Sequence, residues 1–143
     1  MGVMEPPTIL VTGATGFLGR VLTGMALQNN YRVRVIARTH SSLKEMPWHD
    51  HDKLDSFIID LGASQARPTL DAALAGVDCV IHASAATGDD EAHARDTILA
   101  TQVLIEAMTD RLLPPRLVLI SSLSVYNYEA IPAGRQVDET TPL

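Results

Sequence analysis

Ile9-Leu10-Val11 runs directly into Thr12-Gly13-Ala14-Thr15-Gly16-Phe17-Leu18-Gly19. An apolar run that breaks into glycines and resumes with helical periodicity predicts a strand, a tight turn and a helix. The first N–H groups and positive dipole end of that helix would face an anion. The three glycines divide the work. Gly13 allows the turn out of the strand, Gly16 lets backbone approach a pyrophosphate, and Gly19 lets the helix pack against the strand. The spacing is Gly-x-x-Gly-x-x-Gly, one residue longer between the first two glycines than the common dinucleotide fingerprint.

Outward from this turn the pattern repeats. Phe17, Leu18, Val21, Leu22, Met25, Ala26 and Leu27 recur at helical spacing up to Asn29-Asn30. Tyr31 to Ala37, rich in valine and isoleucine, predicts a second strand. Thr39 to Asp55 is polar and interrupted by Pro47, so it predicts a long connection with a short helix at most. Ser56 to Ile59 predicts a third strand ending at Asp60-Leu61, and Pro68 to Ala75 a short helix stopped by Gly76. Val77 to Ala83 predicts a fourth strand, Ala92 to Met108 a long amphipathic helix, and Arg116 to Ser121 a fifth strand. Strands alternating with helices imply an α/β fold with a parallel sheet and right-handed crossovers. The expectation is a three-layer Rossmann fold of about five strands. Residues 1–7 would be a flexible tail and residues 8–143 one dinucleotide-binding domain. Val77 to Ile81 and Leu117 to Ile120 are apolar enough to be buried on both faces. Five strands are one short of two complete mononucleotide halves, so the sheet is expected to be incomplete at its C-terminal side.

Bulk properties narrow the partners. A formal net charge of −6 over 143 residues argues against nucleic acid, whose backbone needs a basic surface. Cys79, the single cysteine, precludes an internal disulfide framework and suits a reducing compartment. No apolar run approaches a membrane span and Met1 to Pro7 has no signal-peptide character, so a cytoplasmic location is expected.

Four stretches in order carry a family resemblance: Thr12 to Gly19, Asp60-Leu61, Gly76-Val77-Asp78 leading into Val80-Ile81-His82-Ala83, and Ser121-Ser122-Leu123-Ser124-Val125-Tyr126. Together they resemble the extended short-chain dehydrogenases/reductases, a group that includes the NAD-dependent epimerases/dehydratases and the dihydroflavonol-reductase-like enzymes. The resemblance implies that Gly13, Thr15, Gly16, Phe17, Leu18 and Gly19 form the phosphate-binding turn. It implies that Asp60 and Leu61 flank the adenine ring, with Asp60 accepting from its amino group. Ala83, Ser84 and Ala85 would lie along the cofactor. Ser122, four residues before Tyr126, would be the catalytic serine that hydrogen-bonds the substrate's reacting oxygen. Thr97 stands where the family usually has asparagine.

The choice of nicotinamide cofactor turns on the end of the second strand. NAD-specific sites place an acid there for the ribose hydroxyls. No acid occurs between Gly13 and Lys44; Ala37 occupies the expected position and Arg38 follows it. A guanidinium fork matches a phosphate, and His40, Ser41, Ser42 and Lys44 offer further donors. This favours NADP. The alternative is NAD, with Arg38 a solvated strand-end charge or a stacking partner for adenine.

Enzymes of the group use a Tyr-x-x-x-Lys pair, the lysine lowering the tyrosine's pKa for proton exchange. The only lysines here are Lys44 and Lys53; Ala130 stands four residues after Tyr126 and Pro132 four after Tyr128. The chain is therefore expected to be the cofactor-binding portion of a longer oxidoreductase or epimerase/dehydratase, without its substrate domain and inactive alone. Its substrate would be a small carbonyl or hydroxyl compound, such as a nucleotide sugar. The alternative is a non-catalytic NAD(P)-binding sensor or assembly module. An open helix face and sheet edge would favour a homo-oligomer. Tyr126 and Tyr128 read as packing or substrate-wall residues, and Ser124 as a turn residue. A Ser122–His82–Asp60 hydrolase lacks the Gly-x-Ser-x-Gly elbow. His49 and His51 alternate with Asp50 and Asp52 in a polar loop without a distant ligand, so no metal is expected. Trp48 is expected to pack this loop down, and Asp89, Asp90 and Glu91 to complement a helix dipole.

Overall fold

Five parallel strands form the centre: β1 (Thr8–Thr12), β2 (Arg32–Ala37), β3 (Leu54–Ile58), β4 (Cys79–His82) and β5 (Arg116–Leu119), in the order β3-β2-β1-β4-β5. The structure, a computed structural model, describes residues 5–122, 125–127, 129 and 131–141. Helix α1 (Phe17–Gln28) follows β1, and the five-residue α2 (His40–Lys44) follows β2. Helix α3 (Arg67–Leu74) precedes β4. A long helical rod over residues 90–109 precedes β5: α4 (Asp90–His93), a π-helical segment Ala94–Leu99, and α5 (Ala100–Thr109). The strand order reverses between β1 and β4, which is the switch point of a doubly wound sheet and opens a crevice at the strands' C-terminal ends.

Two apolar layers hold the helices to the sheet. On one face Leu10, Ile36 and Val80 pack with Leu70, Leu74, Leu104 and Met108 from α3 and α5. On the other, Val11, Val33 and Val35 pack with Ala26 and Leu27 of α1, Leu43 of α2 and Trp48. Trp48 is pinned further, its indole N–H donating to the Arg20 carbonyl at 3.0 Å, so the polar connection is fastened onto α1. Asn30 adopts φ 68° just after α1, a left-handed conformation that asparagine tolerates, at the helix stop expected from Asn29-Asn30. The N-terminal tail is joined to the sheet by Pro7, whose carbonyl accepts from Arg32 N at 3.2 Å.

The boundaries differ from expectation where pairing, not composition, decides. β3 starts at Leu54, two residues early, because Leu54 pairs with Val33 and Asp55 with Arg34. β5 ends at Leu119 and is not buried on both faces: Val118, Leu119 and Ile120 are all exposed. It lies at the sheet edge, paired only with β4 among the described residues, so its apolar run outlasts its cover. Helix α1 likewise carries two stripes. Ala26 and Leu27 face the core, whereas Phe17, Val21 and Met25, spaced by four, form an exposed outer row.

Candidate functional site

The crevice at the switch point is a cleft of about 370 Å³ built from the exits of four elements. Thr12, Gly13, Thr15 and Gly16 come from the turn after β1, and Ile36, Ala37 and Arg38 from the end of β2. Ile59, Asp60, Leu61 and Gly62 follow β3, and Ala83 to Thr87 follow β4. Ala92, Asp96 and Ala100 close it from the long helical rod. Of the residues expected at a cofactor site, Gly13, Thr15, Gly16, Arg38, Asp60, Leu61, Ala83, Ser84 and Ala85 meet here.

The turn holds its shape through close backbone contact. The Gly13 carbonyl accepts from Gly16 N at 3.0 Å, and Gly13 itself has φ 65°. A Cβ at Gly13 would lie 2.6 Å from the Ala83 carbonyl oxygen, and one at Gly19 would lie 2.1 Å from the Gly13 carbonyl oxygen. The chain can pass between β4 and α1 only as glycine at these two places. Phe17, Leu18 and Gly19 do not line the cleft as side chains. The Phe17 ring is exposed and lies against the Arg20 guanidinium, Leu18 is exposed, and Gly19 is buried under the turn. Their side-chain positions rotate away with the helix, and what they offer an anion is the first-turn N–H groups, which have no carbonyl behind them within α1. This donor set, with a glycine-lined floor, fits a pyrophosphate.

At the far end of the cleft four charged side chains form one chain of ion pairs. Arg38 Nη1 donates to Asp96 Oδ2 at 3.1 Å, and Arg95 Nη1 donates to Asp96 Oδ1 at 2.5 Å. Arg95 Nη2 also bonds the Asp60 carboxylate, whose other oxygen accepts from Gly62 N at 3.2 Å. The hydrogen bond to Asp60, with the field of Asp60 and Asp96, raises the Arg95 pKa above its ordinary value. The Arg95 stem lies over Gly62, where an added Cβ would come within 3.0 Å of it. Both Arg95 and Asp96 escaped the sequence reading. The available signal was Ala92, Asp96 and Ala100 at four-residue spacing, one helix face of small residues around a single acid.

Beneath the cleft lies a buried polar thread. His82, only 2% exposed, joins Thr12 Oγ1 at 2.6 Å through Nδ1 and Thr101 Oγ1 at 2.8 Å through Nε2. Thr101 spends its own proton on the Thr97 carbonyl at 2.5 Å, so it accepts from Nε2–H, and Nδ1 accepts from the Thr12 hydroxyl. Burial lowers the His82 pKa, keeping the ring neutral. Thr97 in turn accepts from Ala86 N at 2.8 Å, tying the β4 exit to the π-helical segment. The Thr101 back-bond to Thr97 is the kind of hydroxyl contact that bends helices. His82 is thus a structural hub, not a hydrolytic base.

The remaining candidates lie elsewhere. Ser122 is exposed beyond β5 and is not among the residues lining the cleft; its carbonyl accepts from Val125 N at 3.3 Å. The Tyr126 hydroxyl donates to the Asp138 carbonyl at 3.4 Å. Leu123, Ser124 and Tyr128 lie outside the described residues. His49 and His51 pair with the neighbouring Asp50 and Asp52, and Asp89 caps α4 by accepting from Ala92 N at 2.9 Å. Among the described residues no helix is long and apolar enough to cross a membrane.

Comparison with known proteins agrees with this geometry. Residues 9–143 match the family described as NAD dependent epimerase/dehydratase. A 4-hydroxy-2-methyl-3-oxo-4-farnesyl-3,4-dihydroquinoline-1-oxide ketoreductase of Stigmatella aurantiaca is 31% identical over 140 residues, which is 93% of this chain and 38% of that protein. UDP-glucuronic acid 4-epimerase from Bacillus cereus, solved with NAD, superposes with a TM-score of 0.69 at 28% identity, over 84% of this chain and 41% of the epimerase. Yeast methylglyoxal/isovaleraldehyde reductase, solved with NADPH, shares the fold with a TM-score of 0.71 at 17% identity, over 80% of this chain and 37% of the reductase. The chain thus spans about two-fifths of the length of these relatives.

Proposed function

The chain belongs to the NAD dependent epimerase/dehydratase family, and from that premise we propose that its cleft holds a nicotinamide dinucleotide, NADP in preference to NAD. The observation that carries the reading is the convergence of the glycine turn, Asp60 and the Ala83–Ala85 strand exit on one cleft, with Arg38 and no acid following β2. The first turn of α1 would take the pyrophosphate, Asp60 and Leu61 the adenine ring, and Arg38 the 2′-phosphate. When bound, the nicotinamide supplies or accepts a hydride. In the whole protein that hydride would serve a small carbonyl or hydroxyl substrate, with Ser122 holding the reacting oxygen, in a reductase or an epimerase/dehydratase. Relatives solved with NAD and with NADPH support the cofactor class.

These 143 residues hold no Tyr-x-x-x-Lys pair, Lys44 and Lys53 being the only lysines. What they contribute is cofactor binding; the second reading is a non-catalytic NAD(P)-binding module. Exposed Ile98, Leu99 and Ile105 on the long helical rod, together with the open β5 edge, support a homo-oligomer. A single cysteine supports a cytoplasmic setting.

The test is a pair of fluorescence titrations with NADPH and NADH. NADPH is expected to bind more tightly. Arg38→Ala is expected to weaken NADPH by about 10- to 100-fold, the worth of a charged hydrogen bond, with little effect on NADH. Equal affinities in the parent chain would overturn the NADP assignment.

A further inference from the structure

The Arg38 guanidinium assigned to the 2′-phosphate already has an anionic partner, and that partner stands inside the same cleft. Asp96 Oδ2 lies 3.1 Å from Arg38 Nη1, and both side chains line the cleft. The two ends differ in exposure: the Arg38 side chain is 69% exposed, the Asp96 side chain 24%. Asp96 is the fixed member. Arg95 holds its other oxygen at 2.5 Å, the Arg95 stem rests over Gly62, and the same guanidinium is bonded to Asp60. The π-helical segment Ala94–Leu99 sets both residues at this point, anchored by Thr97 Oγ1 on Ala86 N and by the Thr101 bond to the Thr97 carbonyl. A carboxylate so placed competes for Arg38 and repels any anion that approaches the same guanidinium.

We propose that Asp96 is a specificity-determining residue that opposes the 2′-phosphate at Arg38 and so limits the chain's preference for NADP over NAD. The proposal rests on the cofactor reading above and deepens it. A ligand without a 2′-phosphate leaves the Arg38–Asp96 pair intact. A ligand with one must draw the exposed Arg38 off Asp96 while the carboxylate remains close by. Arg38 therefore selects for the phosphate and Asp96 against it, and the net preference is the difference between the two.

Asp96→Asn removes the charge and keeps the shape. Binding of four probes would be measured by calorimetry: NADPH, NADH, adenosine 2′,5′-bisphosphate and ADP. The variant is expected to bind NADPH and the 2′,5′-bisphosphate roughly threefold to tenfold more tightly, the scale of a partly exposed ion pair plus a relieved repulsion, with NADH and ADP within about twofold. Asp96→Ser, read beside the circular-dichroism melting curve of each variant, separates charge removal from misfolding: both variants should shift the NADPH/NADH ratio in the same direction. An unchanged ratio in variants that melt as the parent does would overturn the proposal and leave the cofactor assignment standing. A parent chain that binds none of the four probes would overturn both.

Discussion

Replacing Gly13 by alanine is expected to lower folding stability by about 2–5 kcal/mol and to abolish measurable dinucleotide binding. Two terms add. The residue sits at φ 65°, where a Cβ adds about 1–2 kcal/mol of backbone strain. The new Cβ would also fall 2.6 Å from the Ala83 carbonyl oxygen and 2.8 Å from Ser84 N, both backbone atoms of the β4 exit that cannot swing aside. Relieving such overpacking costs about 1–3 kcal/mol. Whatever shifts must be the turn or the β4 exit, and these are two walls of the cleft. Urea unfolding with NADPH titration on the same sample checks both effects. A variant with an unchanged midpoint would mean that the turn is looser than its geometry states.

His82→Ala is expected to lower stability by about 2–4 kcal/mol, from a buried void and the loss of a partner for the Thr12 hydroxyl. Thr101 keeps its bond to the Thr97 carbonyl, so the loss falls mainly on the β1 side. The wild-type protein should also show a pH dependence that the variant lacks. Burial depresses the folded-state pKa of His82 below its unfolded value of about 6.5. The unfolded chain therefore takes up a proton first as pH falls, and the stability contributed by the neutral ring is full above about pH 6.5. It is lost progressively as pH falls from there towards the folded pKa. Urea midpoints compared at pH 7.5 and pH 5 should drop for the wild type by more than for His82→Ala. Parallel drops would place the acid sensitivity elsewhere.

The parts of the site that could be read from sequence are those made by local chain geometry. The glycine turn and the Arg38 that replaces an acid after β2 declare themselves within a few residues, whereas Asp60 at the β3 exit and Ala83–Ala85 at the β4 exit are implied by the family resemblance; the parallel topology brings all four exits together. Arg95 and Asp96 do not, because their meaning is tertiary. Asp96 meets Arg38 across 58 residues and Arg95 meets Asp60 across 35, distances over which charge spacing carries no register. The π-helical segment was equally hidden, since it changes which residues face the cleft without changing composition. The extent of β5 burial failed for another reason. An apolar run reports what a strand can bury, whereas cover depends on neighbours, and Val118 to Ile120 lie at an edge. Phe17 and Leu18 show the converse: the motif places them correctly at the start of α1, but only their backbone N–H groups remain available to the cleft.

We propose the switch-point cleft as a nicotinamide dinucleotide site. Amide nitrogen–proton correlation spectra recorded during an NADPH titration test it most directly. Saturable shifts are expected, confined to Gly13–Gly19, Arg38, Asp60–Gly62 and Ala83–Thr87, with a further response at Arg95 and Asp96 as Arg38 is drawn away. Shifts scattered over the outer faces of α1 and α3, or a spectrum unchanged at millimolar NADPH, would contradict it.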